Sequence, residues 1–209
     1  MKKLISIAIV AAFSAGLAAP AAMAADKTMK CGIVTNKDRS LSKGLVEFGK
    51  ILEKESGGSI KVQVFTDGVL GGDRQTLEGL QMGTIHCTSL STGPIAAFVP
   101  QFDVFDLPFL FKDQKAAYKS IDGQIGKTLD ESLRKQGLRI IAWGVNGYRH
   151  ITNNRGPITK PDDLKGLKIR CMENPVHVAA WKALGANPTP MPFSEVFTAM
   201  QQKTIDGQE

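Results

Sequence analysis

Apolar and polar positions change period several times along the chain, and each change marks an element. Lys30 to Val34 reads as a buried strand, and from Asp38 the apolar positions Leu41, Leu45, Phe48 and Leu52 recur at helical spacing. Gly57-Gly58 stops that helix, where the chain must take positive φ. Ile60, Val62 and Val64 then alternate with Lys61 and Gln63, as a half-exposed strand does. Strand, helix, strand at this spacing predicts a right-handed βαβ crossover.

The unit repeats. Gly71-Gly72-Asp73 opens a helix that continues through Leu77 and Leu80 to Gly83, and Ile85 to Leu90 forms the next strand. A third helix is predicted from Asp113 to Gly137, followed by a strand from Leu138 to Trp143. Before that helix, Phe98 to Phe111 holds half of the ten phenylalanines, and the reading is a loop that packs its rings on the sheet. Its prolines keep it from joining the sheet as a central strand. Such alternation predicts an open, mostly parallel α/β sheet, whose ligands bind outside the carboxyl ends of the strands.

Beyond Asn146-Gly147 a second series begins, with a strand from Tyr148 to Asn153, a short helical turn in Pro161 to Gly166, and a strand from Leu167 to Cys171. A helix from Pro175 to Leu184 follows, and Gly185 to Pro190 reads as a connector to a further helix at Phe193. The expected organisation is a first α/β lobe over 25–146 and a second, partial one over 147–209. The text stops at Glu209 in what reads as a strand entering a turn, so a C-terminally truncated chain is expected. Uncovered sheet edges would then make this chain fold poorly alone.

Lys2 and Lys3, an apolar run from Leu4 to Ala22, and Ala22-Met23-Ala24 have the three parts of a secretory signal peptide. Cleavage is expected after Ala24, with export to a bacterial periplasm. No other segment approaches the run of about 20 apolar residues that crosses a bilayer. The net charge of +6 is dispersed, and with two Tyr, two Trp and no basic tract the sequence argues against nucleic-acid binding. Cys31, Cys87 and Cys171 sit in apolar runs without a Cys-x-x-Cys spacing, so no metal or redox site is expected; an odd count cannot pair completely, and burial as small hydrophobes is favoured over a disulfide.

Candidate chemistry concentrates in Arg149 and Arg170. A guanidinium grips a carboxylate through two parallel hydrogen bonds, so two aimed at one pocket point to an acidic small molecule. Each could instead serve a structural ion pair.

Four ordered blocks carry a resemblance: Gly147 to Asn154, Pro161 to Arg170, Gly185 to Val196, and Ile205 to Glu209. Together with Gly57 to Val62, Gly68 to Arg74 and Asp106 to Phe109, they resemble the solute receptors of tripartite ATP-independent periplasmic (TRAP) transporters, across the whole mature chain. The resemblance implies a two-lobed, type II-like periplasmic binding protein that closes on an organic acid, with C4-dicarboxylates as the default, and hands it to membrane permease subunits. It also implies a monomer that uses no cofactor and catalyses no reaction. Arg170 matches the arginine that pairs with the ligand carboxylate, Arg149 a second arginine that assists, and Phe193 a ring lining the pocket. Asp73, Ser91 and Thr92 match positions that contact ligand in some members. Glu173 stands where the family commonly has an amide or small polar residue, and an acid there repels a second carboxylate or binds a hydroxyl or amine.

Two other readings compete. The same fold could serve a membrane kinase as its sensory subunit. An exported enzyme would draw on His86-Cys87, His150 or His177, but neighbours on a strand point to opposite faces, so His86 is poorly placed to activate Cys87. No Gly-x-Ser-x-Gly elbow or His-Glu-x-x-His pair is present.

Overall fold

The structure, a computed structural model, describes residues 27–209; the predicted signal peptide, 1–24, lies outside the described residues. None of the described helices is long and apolar enough to cross a membrane.

The first sheet is wholly parallel, in the order β2-β1-β3, with β1 at Lys27–Gly32, β2 at Ile60–Phe65 and β3 at Cys87–Thr88. Helix α1 (Ser40–Glu55) makes the predicted crossover from β1 to β2, and α2 (Asp73–Gln81) connects β2 to β3. Leu45 of α1 joins Cys31, Ile33 and Cys87 in a buried cluster that Phe48, Val62 and Val64 flank. Strand β1 starts at Lys27 rather than Lys30, because backbone pairing of Lys27 with Ile60 needs no apolar side chain.

The long helix predicted over Asp113 to Gly137 is two helices, α4 (Gln114–Ile121) and α5 (Gln124–Arg134), after the short α3 (Thr92–Ile95). Asp113 caps α4 by accepting the Ala116 amide at 2.8 Å. The break falls at Asp122-Gly123, and the two helices meet so closely that a Cβ on Gly126 would strike the Ile121 carbonyl oxygen. Gly126→Ala is therefore expected to cost about 1–3 kcal/mol, read as a lowered urea midpoint.

Leu138 to Trp143 is not a strand: no described strand pairs with it. Its inward residues Leu138, Ile140 and Trp143 instead pack on the core of Val99, Phe102, Leu129 and Leu133, and Asp130 accepts the Ile140 amide at 2.8 Å. The phenylalanine-rich stretch forms a 3-10 helix at Pro100–Asp106, with Phe102 fully buried and stacked on Trp143. The rings of Phe102 and Phe105 are packed as expected, but on helix α5 and Trp143 rather than on the sheet, and Phe109 is open to solvent.

The second sheet runs β4-β7-β5-β6, with β4 at Thr152–Asn153, β5 at Lys168–Cys171, β6 at Asn187–Pro190 and β7 at Gly207–Gln208. Strand β5 is parallel to both neighbours, and β4 is antiparallel to β7. The strand expected over Tyr148 to Asn153 shrinks to two residues, because β7 pairs with it only through Gly207 and Gln208. The supposed connector at Gly185 to Pro190 contains β6, an edge strand. Asn187 and Met191 donate their amides to Leu167 and Cys171, so Pro188 and Pro190 fall at the alternate positions, where the missing N–H faces away from β5. Helices α6 (Pro175–Ala183) and α7 (Phe193–Gln201) complete the second unit.

Candidate ligand-binding site

Arg170 is the second-last residue of β5 and its side chain is only 5% exposed. Both Nε and Nη2 donate to the Met191 carbonyl oxygen, at 3.0 and 2.9 Å, which locks one edge of the guanidinium to the turn between β6 and α7. Its carbon lies 5.7 Å from the centre of the Phe193 ring, at the start of α7. The charged plane is thereby held in one orientation, with its Nη1 4.0 Å from Glu209 Oε1.

Walls from the first unit close on this point. The turn before α2 reaches α7: a Cβ on Gly72 would lie 3.2 Å from Pro192 Cβ, and one on Gly68 would lie 3.2 Å from Ser194 Cβ. Asp73, at the first turn of α2, interacts electrostatically with both Arg170 and Glu173. Burial raises its pKa to about 6, Arg170 opposes that rise, and Glu173 adds to it. Ser91 accepts a hydrogen bond from Asn146 Nδ2 at 2.8 Å, and the α3 turn that starts at Thr92 abuts Met172, since a Cβ on Gly93 would lie 2.6 Å from Met172 Cε. Arg170 thus lies against Phe193 and within electrostatic range of Asp73, which Glu173 also influences.

Arg149 pairs with carboxylates of the protein itself. It lies in the extended chain ahead of β4, 41% exposed, and donates from Nη1 to Glu209 Oε2 at 2.6 Å, while Nη2 stands 3.7 Å from Asp106. Its charge is already matched by protein carboxylates, of which that of Glu209 is wholly buried and that of Asp106 nearly so. His177 of α6 sits between the same two acids, with Nε2 2.9 Å from Asp106 and Nδ1 3.5 Å from Glu209. Both ring nitrogens face acceptors, which suits the doubly protonated imidazolium. Burial pushes His177 down, but hydrogen bonds to Asp106 and Glu209 outweigh it, and its pKa is raised. Burial likewise pushes Glu209 up, yet the His177 hydrogen bond and the charges of Arg149 and His177 together hold it at about 2.

Asn174 completes this layer. Its Oδ1 caps α6 by accepting the Val176 and His177 amides, and its Nδ2 donates to Asp103 Oδ1 at 2.8 Å and to the Gly93 carbonyl at 3.2 Å. These contacts fasten the elements after the first sheet to α6 of the second. Sequence reasoning assigned no role here to Asp106, Asn174 or Glu209, and considered His177 only as an enzyme candidate. The usable signal was Asn174 before Pro175, the composition of a helix start. A separate depression of about 620 Å³, lined by Ile151, Ile158 and Trp181 among others, touches this cluster only through Arg149.

The chain belongs to the family of bacterial extracellular solute-binding proteins, family 7, which matches residues 31–209. It is 46% identical over 189 residues, 90% of this chain and 56% of the relative, to a solute-binding protein of Verminephrobacter eiseniae. Among solved structures it is similar to the sugar acid binding protein of Advenella mimigardefordensis in complex with galactonate. That match has a TM-score of 0.85 and 43% identity, covering 87% of this chain and 58% of that one. A TRAP periplasmic solute binding protein of Sulfurospirillum deleyianum with bound succinate matches at TM-score 0.85 and 35% identity, covering 88% and 60%. The chain thus spans less than two thirds of the length of these relatives. Family members are solute-binding receptors, and their homologues named for a compartment are periplasmic.

Proposed function

We propose that this protein is an extracytoplasmic receptor that captures an organic acid through its carboxylate at Arg170 and delivers it to TRAP membrane permease subunits. The observation that carries the reading is the orientation of Arg170, held by two hydrogen bonds to Met191 and by the Phe193 face. Lobes at 25–146 and 147–209 move against each other, ligand favours the closed arrangement, and the permease recognises that form. The receptor is exported with cleavage after Ala24, acts as a monomer and performs no chemistry on its ligand.

Within the acids, the charge pattern favours a hydroxylated monocarboxylate over a C4-dicarboxylate. Glu173 disfavours the charged form of Asp73, so a second ligand carboxylate there meets repulsion, whereas hydroxyls find acceptors. Relatives bound to galactonate and to succinate are both known, so the panel that tests this includes both types.

A thermal-shift screen against organic acids should show stabilisation by at least one, roughly 2.7 kcal/mol at about 100 times Kd. No shift with any acid, from a chain that melts cooperatively, would remove the assignment. Binding should also strengthen as pH falls through about 6, where Asp73 takes up a proton and ceases to repel the anion. Asp73→Asn should flatten that dependence in a titration series, and an unchanged pH profile in the variant would exclude Asp73 from the site.

A further inference from the structure

Cys31 and Cys87 stand opposite each other on neighbouring parallel strands, in register between β1 and β3. Residues paired in this way project to the same face of a sheet, and both belong to the buried cluster with Ile33 and Leu45. Adjacent strands run about 4.8 Å apart. That spacing falls within the roughly 4.4–6.8 Å that separates the Cα atoms of a disulfide. The two thiols influence each other, the pKa of Cys31 being raised and that of Cys87 lowered by their interaction. Cys171 lies in the other sheet, on β5, its thiol pushed up to about 11 by burial and the nearby Glu209 charge. Three cysteines therefore offer a single pair in bonding register.

We propose that Cys31 and Cys87 form a disulfide that staples β1 to β3 when the chain folds in an oxidising compartment, leaving Cys171 as a free thiol. Relatives of this chain are periplasmic, and disulfides persist there. The oxidant is a disulfide donor, protein or small molecule. The Cys87 thiolate attacks one donor sulfur, forming a mixed disulfide and releasing the first donor thiol. Cys31, after losing its proton, attacks the Cys87 sulfur, closing the bond and releasing the second donor thiol. The protein loses two hydrogens and the donor disulfide becomes two thiols. Because both sulfurs are shielded in the finished sheet, the bond closes before β1 and β3 complete their pairing. The staple sits at the base of the segment that carries Ser91, so it stiffens one wall of the cleft whatever acid binds there.

The test is a thiol count on the full chain, exported to a bacterial periplasm and denatured in an alkylating reagent without reductant. One alkyl group, on Cys171, is expected, together with an intact-mass loss of about 2 Da for the two hydrogens. A tryptic digest should link the peptide that begins at Cys31 to the one that contains Cys87. Cys31→Ser should take two alkyl groups. Reductant should lower the melting midpoint of the wild type and leave that of Cys31→Ser unchanged. Three alkylated cysteines in the wild type, or a linkage that involves Cys171, overturns the proposal.

Discussion

Arg170→Ala is expected to weaken binding of the organic acid by about two to four decades, because a carboxylate that enters the cleft loses its buried partner, at a cost of roughly 3–5 kcal/mol. Three features concentrate the loss on this residue. The side chain is 5% exposed, its Nε–Nη2 edge is fixed on the Met191 carbonyl, and Phe193 covers its face. Lysine carries the charge without the fork, so Arg170→Lys should bind between the two. The variant also loses the bonds to Met191, and a stability loss of about 1 kcal/mol is expected beside the binding defect. Calorimetric titration below each variant's own melting range separates the two effects. Unchanged affinity in Arg170→Ala would remove its assigned role.

The largest expected effect on stability comes from Glu209, whose carboxylate is wholly buried between Arg149 and His177. Its pKa falls from 4.5 to about 2 on folding. By linkage the carboxylate contributes on the order of 3 kcal/mol near neutral pH. A depressed value means that this contribution is complete above 4.5 and disappears as pH falls through about 2. His177 works in the opposite sense: its raised pKa contributes fully below 6.5 and is lost as pH rises through the folded value. Maximal stability from this pair therefore lies between 4.5 and 6.5. Glu209→Gln should lower the unfolding free energy by roughly 3 kcal/mol at neutral pH. It should also flatten the acid limb of a plot of urea midpoint against pH. A variant as stable as wild type, with the acid limb intact, would show that the network carries no such energy.

How far the sequence foretold all this depends on the range of the forces involved. Strand β2 and helix α1 follow from local periodicity, since alternation over Ile60 to Val64 and the spacing of Leu41, Leu45 and Phe48 express which face is buried. Strand β6 was missed because local rules read Pro188 and Pro190 as a connector, while only the register with β5 reveals that their missing donors face outward. The same limit explains Leu138 to Trp143, an apolar run that packs on Phe102 and Leu129 rather than joining a ladder. At the site, Arg170 and Phe193 came from ordered motifs, and the structure sets the guanidinium carbon 5.7 Å from the ring centre. The pairing of Arg149 with Glu209, 60 positions apart, leaves no local signature, and neither does the seat of His177 between Asp106 and Glu209.

The central claim is that the cleft recognises a carboxylate through Arg170, and the most direct test compares an acid with its neutral twin. The acid that most raises the melting midpoint would be titrated calorimetrically beside the polyol that carries a primary alcohol in place of its carboxylate. With galactonate as the acid, the comparison is galactitol. The account predicts saturable binding of the acid and a loss of at least two decades with the alcohol, on the order of 3 kcal/mol. Equal affinity for the two would contradict it, because recognition would then rest on the hydroxyls alone and Arg170 would be only a structural brace for Met191.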